Sequence, residues 1–236
     1  MKQVVLFLYI FICSISFSQT VDQTVDALIK KINLVKDYSV HANIKADIPL
    51  IRVLPVNATI YFKQKDKFKV VSKGIAILPK QGFTDVTSFL LKKSSYMAVD
   101  GGTKTIEGIT THLVTVIPTV DNSEIVLAKL YVDTKRDVIL KTELTTRGSG
   151  TVVIKYSYGT QVAFGLPDEM TFTIDIKKFK MPKSVAADIS NSNKDKSSKD
   201  KSSKDKSKEK TGVIVIKLTD YKVNKGIKDD VFKKKD

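Results

Sequence analysis

Cysteine, histidine, tryptophan and arginine are scarce in this 236-residue chain: one Cys, two His, no Trp and three Arg, at positions 52, 136 and 147. The one cysteine, Cys13, sits in the first apolar run. Once that run is removed, neither a disulfide framework nor a cysteine nucleophile is available. His41 and His112 have no second His or Cys at metal-ligand spacing, and His41 alternates onto the polar side of its segment, so both read as surface or satisfied strand histidines. There is no Gly-x-Ser-x-Gly and no phosphate-cradling loop. Asp168-Glu169 follows Pro167 in a turn, where a carboxylate serves the turn itself. The expectation is a chain without enzymatic activity, metal or cofactor.

What is present begins with an address. Met1-Lys2 supplies a positive n-region, Val4 to Ile15 is an apolar run, and Ser16-Phe17-Ser18 puts small residues where a signal peptidase reads. Residues 1–18 therefore read as a secretory signal peptide and 19–236 as one mature domain. At about 12 residues the run is too short for a membrane-spanning helix, which needs about 20. The bulky Ile10-Phe11-Ile12 before Cys13 argues against a lipid-modified cysteine, leaving Cys13 as one more apolar residue of the leader.

Charge is lopsided, with 40 Lys+Arg against 25 Asp+Glu and a formal net charge of +15. Much of the excess is local. Lys194 to Lys210 holds eight Lys, three Asp and one Glu in three Lys-Asp-Lys-Ser-Ser-like pentads, and no apolar residue occurs from Ser190 onward to Lys210. Such a stretch buries too little to offset its ordering entropy, so residues 190–211 read as a disordered insertion. With three arginines, no aromatic interleaved and an export signal, nucleic acid is not the expected partner. The insertion reads either as a solubilising loop or as an arm for an anionic membrane surface.

Periodicity supplies the elements. Val21, Val25, Leu28, Ile29, Ile32 and Val35 recur at helical spacing behind a Thr20 N-cap, with Asp22 and Asp26 early and Lys30, Lys31 and Lys36 late. From Tyr38 the period drops to two: Val40, Ala42, Ile44, Ala46 and Ile48 alternate with polar residues. Ala58, Ile60 and Phe62, then Phe68 and Val70 beyond Gln64–Lys67, read as a hairpin. Phe83, Val86, Phe89 and Leu90 return to helical spacing over residues 84–92, capped by Thr84 or Asp85. Strands are then expected at 96–99, 112–117, 125–133, 138–146, 151–158, 170–179 and 213–221, with Asp100-Gly101-Gly102 among the turns between them.

Short polar connections make neighbouring strands antiparallel, and the lysine-rich insertion falls within the last hairpin. The fold class is α+β: about ten strands in one meander forming a single large curved antiparallel sheet, with an N-terminal helix and a short helical lid. Two short helices are a small cover for so much apolar sheet. Either the sheet curls over itself or it encloses a cavity for an apolar ligand.

The order of leader, amphipathic helix, meander and interposed helix resembles the outer-membrane lipoprotein carrier and lipoprotein-sorting superfamily, LolA/LolB-like. Leu130-Tyr131-Val132-Asp133-Thr134-Lys135-Arg136-Asp137-Val138-Ile139-Leu140-Lys141 is similar to its strand, Asp-containing turn and returning strand. Tyr221-Lys222-Val223-Asn224-Lys225-Gly226-Ile227-Lys228-Asp229-Asp230-Val231-Phe232 is similar to its ending, where an Asn, an apolar residue and a Phe lock the last strand. The hairpin Lys63-Gln64-Lys65-Asp66-Lys67-Phe68 lacks the family's Arg-Pro turn, and no Trp-bearing strands exist, which marks a divergent member.

The resemblance implies an unclosed β-barrel with a helical lid, located in the periplasm of a Gram-negative bacterium or peripheral to its outer membrane, and monomeric. It implies a carrier that holds acyl chains of lipoproteins, or a related lipid, in outer-membrane lipoprotein sorting. The alternative on the same fold is a lipid-sensing or other protein-binding envelope module. Binding of that kind needs area alone, at about 0.8 kcal/mol per buried CH₂. The candidate lipid-facing residues are Ile44, Ile60, Phe62, Phe68, Val70, Leu130, Val132, Leu140, Phe172 and Ile174, with Phe83, Phe89 and Leu90 from the lid.

Overall fold

The structure is a computed structural model and describes residues 20–49, 53–64, 67–74, 85–121, 123–148, 150–175 and 211–233. The expected leader, Phe83, Thr84 and the lysine-rich residues 190–210 lie outside the described residues. The chain opens with helix α1 (Val21–Asn33). Thr20 caps it: its hydroxyl accepts from the Gln23 amide, and the Gln23 side chain accepts from the Thr20 amide. This reciprocal pairing satisfies two amides that a helix start leaves without partners.

Ten strands follow among the described residues, interrupted by one short helix: β1 (Asp37–Asp47), β2 (Val56–Lys63), β3 (Lys67–Ser72), α2 (Asp85–Leu90), β4 (Tyr96–Ile106), β5 (Ile109–Pro118), β6 (Ile125–Asp133), β7 (Val138–Thr146), β8 (Gly150–Ser157), β9 (Glu169–Asp175) and β10 (Thr211–Val223). They form one antiparallel sheet in the order β3-β2-β1-β10-β9-β8-β7-β6-β5-β4. β3 and β4 are the two edges of the sheet and do not pair with each other, so the barrel is unclosed.

The single meander expected from the sequence is corrected at one place. The segment from β3 to β4, which carries α2, crosses from one edge of the sheet to the other, and β1 pairs with β10 in the middle. Ile44 faces Ile216 and Ala42 faces Leu218 across that junction. Each of these two strands thereby buries a row of apolar side chains that period-two reading assigned but could not pair.

Asp100-Gly101-Gly102 is a β-bulge within β4, not a turn: pairing with β5 resumes at Thr103 opposite His112. Asp100 Oδ1 accepts from the Gly102 amide at 2.6 Å, and Gly102 has φ +70°. The reversal falls instead at Glu107-Gly108, both left-handed at φ 49° and 81°, the two-residue connection that suits strand twist.

The apolar face carries two clusters. One joins β1, β2, β8, β9 and β10, including Val40, Ile60, Ile154, Phe172 and Ile216, with no helical side chain among the described residues. A sheet that curls over its own face produces such a core. The other places Val25 and Leu28 of α1 and Val86 and Leu90 of α2 on Val114, Val116, Leu130 and Leu144 of β5, β6 and β7. Each fully buried Leu, Ile or Val contributes about 1.5–3 kcal/mol relative to exposure.

Candidate functional site

Where the two clusters meet, packing is incomplete and a cavity of about 170 Å³ remains. α1 contributes Leu28, Lys31 and Ile32, which sit on one side of the helix at spacings of three and four, and Val35 joins them from the connection to β1. α2 contributes Val86, Leu90 and Leu91 at its end. The sheet supplies Tyr38 of β1, Phe62 of β2, Val138 and Ile139 of β7, Tyr156 of β8, Met170 of β9 and Leu218 and Tyr221 of β10. Phe164 to Pro167, in the turn after β8, close one side, while the exposed Leu91 marks the rim.

Four tyrosines line the sheet side. Tyr38 stacks on Phe62 with centroids 5.2 Å apart and meets the edge of Tyr221 at 5.7 Å. The Tyr221 hydroxyl donates to Pro167 O and that of Tyr158 to Ile139 O, both at 2.8 Å. Tyr156 and the fully buried Thr142 share a hydrogen bond at 3.4 Å. Burial pushes the Tyr156 phenol up to about 12 and raises Tyr38, Tyr158 and Tyr221 above the ordinary phenol range. The wall is therefore neutral phenol at physiological pH, able to offer hydroxyls but no phenolate base.

Of the residues expected to face a ligand, the cavity collects Phe62 and Leu90. Ile44, Ile60, Phe172 and Ile174 are buried in the strand-only cluster, with Phe68 and Val70 packed on it. Leu130 and Val132 are buried beneath the helices, with Phe89 packed there. Leu140 is buried on β7. Phe83 lies outside the described residues. Sequence reasoning missed the α1 side chains and the tyrosines. The signal was present in Tyr38, Tyr156, Tyr158 and Tyr221, amphipathic residues standing at strand ends with an apolar ring to bury and a hydroxyl to satisfy.

The histidines are satisfied as expected. His41 is exposed and bonds Asp220 at 3.2 Å. His112 places Nδ1 2.7 Å from the Thr24 hydroxyl and Nε2 3.0 Å from Asp100 Oδ1. Although this has the connectivity of a hydrolytic triad, Thr24 is only 1% exposed, so no substrate reaches its hydroxyl. The chain instead fastens α1 to β4 and β5. Among the described residues no group of three or more His, Cys, Asp or Glu could hold a metal ion, and no helix is long and apolar enough to cross a membrane.

Of the two segments that carry the family resemblance, the first forms the strand, Asp-containing turn and returning strand, and in the second the Asn ties down the end of the last strand. In the turn after β6, burial pushes the Asp133 carboxyl up, but hydrogen bonds from Arg136 Nε at 2.6 Å and the Lys135 amide at 2.9 Å outweigh it and hold it low. In the C-terminal segment, Asn224 Oδ1 accepts from the Lys36 amide at 2.7 Å and Nδ2 donates to Leu34 O at 2.8 Å, tying the α1–β1 junction to the end of β10. Asp229 then pairs with Lys63 and Lys67, both at 2.7 Å, across the β2–β3 hairpin.

No protein-family model matches the chain, and no curated protein matches it. Solved structures do. A LolA superfamily protein, NE2245 from Nitrosomonas europaea, aligns with TM-score 0.58 at 11% identity over 92% of this chain and 99% of that one. A DUF1329 family protein from Desulfovibrio piger aligns at 0.57 and 12% over 92% and 98%. A domain from Vibrio parahaemolyticus assigned to outer membrane lipoprotein sorting aligns at 0.54 and 10% over 90% and 97%. The architecture is thus the LolA-like one, at 10–12% sequence identity.

Proposed function

We propose that this chain is an exported lipid-binding protein of the bacterial envelope, which takes the hydrocarbon chain of a lipid or lipoprotein between α1, α2 and the sheet. The observation that carries this reading is the largely apolar cavity at the meeting of the two clusters. The LolA-like fold and the leader read from the sequence support it. A cavity of about 150 Å³ in an engineered protein holds a benzene. The present one, at about 170 Å³, therefore accepts a short length of one chain as it stands.

Longer chains require α2 to yield. At six residues α2 is below the length at which a helix is stable alone, and Val86 and Leu90 are its buried anchors. Moving that element enlarges the cavity without breaking the sheet. The test is displacement of a fluorescent fatty acid from the purified mature chain. Saturable binding is expected in the wild type and in His41→Ala, with at least about tenfold weaker binding in Leu90→Trp, whose indole fills the space. A wild type that binds no probe overturns the reading.

A further inference from the structure

We propose that the ligand of this cavity is a single-chain zwitterionic amphiphile, its acidic group held by Lys31 and its ammonium group by Asp137; the inference rests on the lipid-binding reading above. Lys31 and Asp137 are the charged residues among those that line the cavity, and no ion pair joins them. The Lys31 ammonium donates to the carbonyls of Arg136 and, at 3.3 Å, Val162. An ammonium has three N–H donors, so one is left over, and two neutral carbonyls do not cancel its charge. Among the described residues no carboxylate lies within ion-pair reach of it.

The Asp137 carboxylate makes no hydrogen bond or ion pair with the described residues. Its backbone is left-handed at φ 51°, in the turn directly after the carbonyl that Lys31 holds, so the two charges belong to one short stretch of wall. The neighbouring Arg136 is already engaged by the buried Asp133 at 2.6 Å. The position of the lysine is also fixed by its stem. Gly165, at φ +65°, brings its backbone so close that a Cβ there would lie 3.1 Å from Lys31 Cγ.

A purely anionic head would meet Asp137 and a purely cationic head would meet Lys31. A head that carries both signs satisfies each in turn. The remaining wall is largely apolar, and about 170 Å³ admits a short length of one hydrocarbon chain, where a diacyl lipid would need far more. A phosphoethanolamine head on one acyl chain has this chemistry; so does a free amino acid that bears one chain and keeps an ammonium group, with a carboxylate in place of the phosphate.

The experiment is calorimetric titration of the mature chain with three lauroyl lipids that differ only at the head: lysophosphatidylethanolamine, lysophosphatidic acid and monolauroylglycerol, with N-lauroyl-lysine as the amino-acid arm. The wild type is expected to bind the ethanolamine lipid, or the lauroyl amino acid, at least about tenfold more tightly than the other two. Lys31→Met should bring the zwitterion down to the neutral lipid. Asp137→Asn should raise lysophosphatidic acid to the level of the zwitterion. Wild-type affinities within about threefold of one another, which need no variant to measure, overturn the inference, as do variants that weaken every lipid equally. Neither of those results touches lipid binding itself, whereas a wild type that binds none of the lipids removes both.

Discussion

A methyl group placed on Gly101 would lie 2.5 Å from Leu113 Cγ on the neighbouring strand, closer than any packed pair of carbons tolerates. Gly101 is therefore required by its neighbour, and Gly101→Ala should lower stability by about 1–3 kcal/mol, measured by denaturant unfolding. Leu113→Ala in the same chain should return part of that loss; an additive double variant would contradict the contact. The same residues show where one-dimensional reading stops. Asp-Gly-Gly carries turn chemistry, and nothing local distinguishes a turn from a bulge, because the difference is made by which strand passes alongside. Asn224 was legible as a lock from the C-terminal motif, but not its backbone at φ 56°. Asn224→Ala loses the bonds to Lys36 and Leu34 and keeps the left-handed strain, while Asn224→Gly loses the bonds alone. Unfolding midpoints should therefore fall in both, and about 1 kcal/mol further in the alanine variant.

At the level of elements, the sequence located α1, α2 and the strands because each buries one face, and a face leaves a period. α1 begins at its Thr20 cap, and β6 and β7 run over the expected residues. β4 runs on past residue 99 because its edge position lets polar side chains occupy both sides, erasing the alternation. The C-terminal strap is another element without a period. Its anchor, Asp229, is held at about 2 by hydrogen bonds from Lys63 and Lys67. Because that value lies below the ordinary carboxylate value, the strap's contribution is present above about pH 4 and is lost as pH falls through about 2. The Asp229 side chain is more than half exposed, so Asp229→Asn should leave the melting temperature near its wild-type value at neutral pH. The amides of Ile227 to Phe232 should nevertheless exchange faster in that variant, and unchanged exchange would show that the ion pairs do not hold the strap.

For the molecule as a whole, the long-range pairing of β1 with β10 and the size of the cavity were both beyond local pattern. Pairing partners far apart in sequence leave no mark on either segment, and a cavity is the difference between two packed clusters, so every side chain in both contributes to it. Ten of the expected lipid-facing residues are inward apolar strand positions, and the sheet packs six of them, Ile44, Ile60, Phe68, Val70, Phe172 and Ile174, against itself. What distinguishes the cavity is the ring of tyrosines, and this gives the molecule a property that can be measured without any ligand. Tyr156 is held to about 12, and Tyr38, Tyr158 and Tyr221 are raised further, while an unfolded tyrosine ionises near 10. Below pH 10 both folded and unfolded chains keep these phenols protonated and stability is unaffected. Above it the unfolded chain releases protons that the folded chain retains, so stability falls with rising pH, by about 1.4 kcal/mol per pH unit for each such group. Phenolate absorbance followed from pH 9 to 13 should show the exposed tyrosines ionising first, and then the wall tyrosines appearing together with loss of sheet circular dichroism. Titration of all of them near pH 10 with the sheet intact would mean that water already fills the space between the helices and the strands, and that no dry cavity is waiting for a hydrocarbon chain.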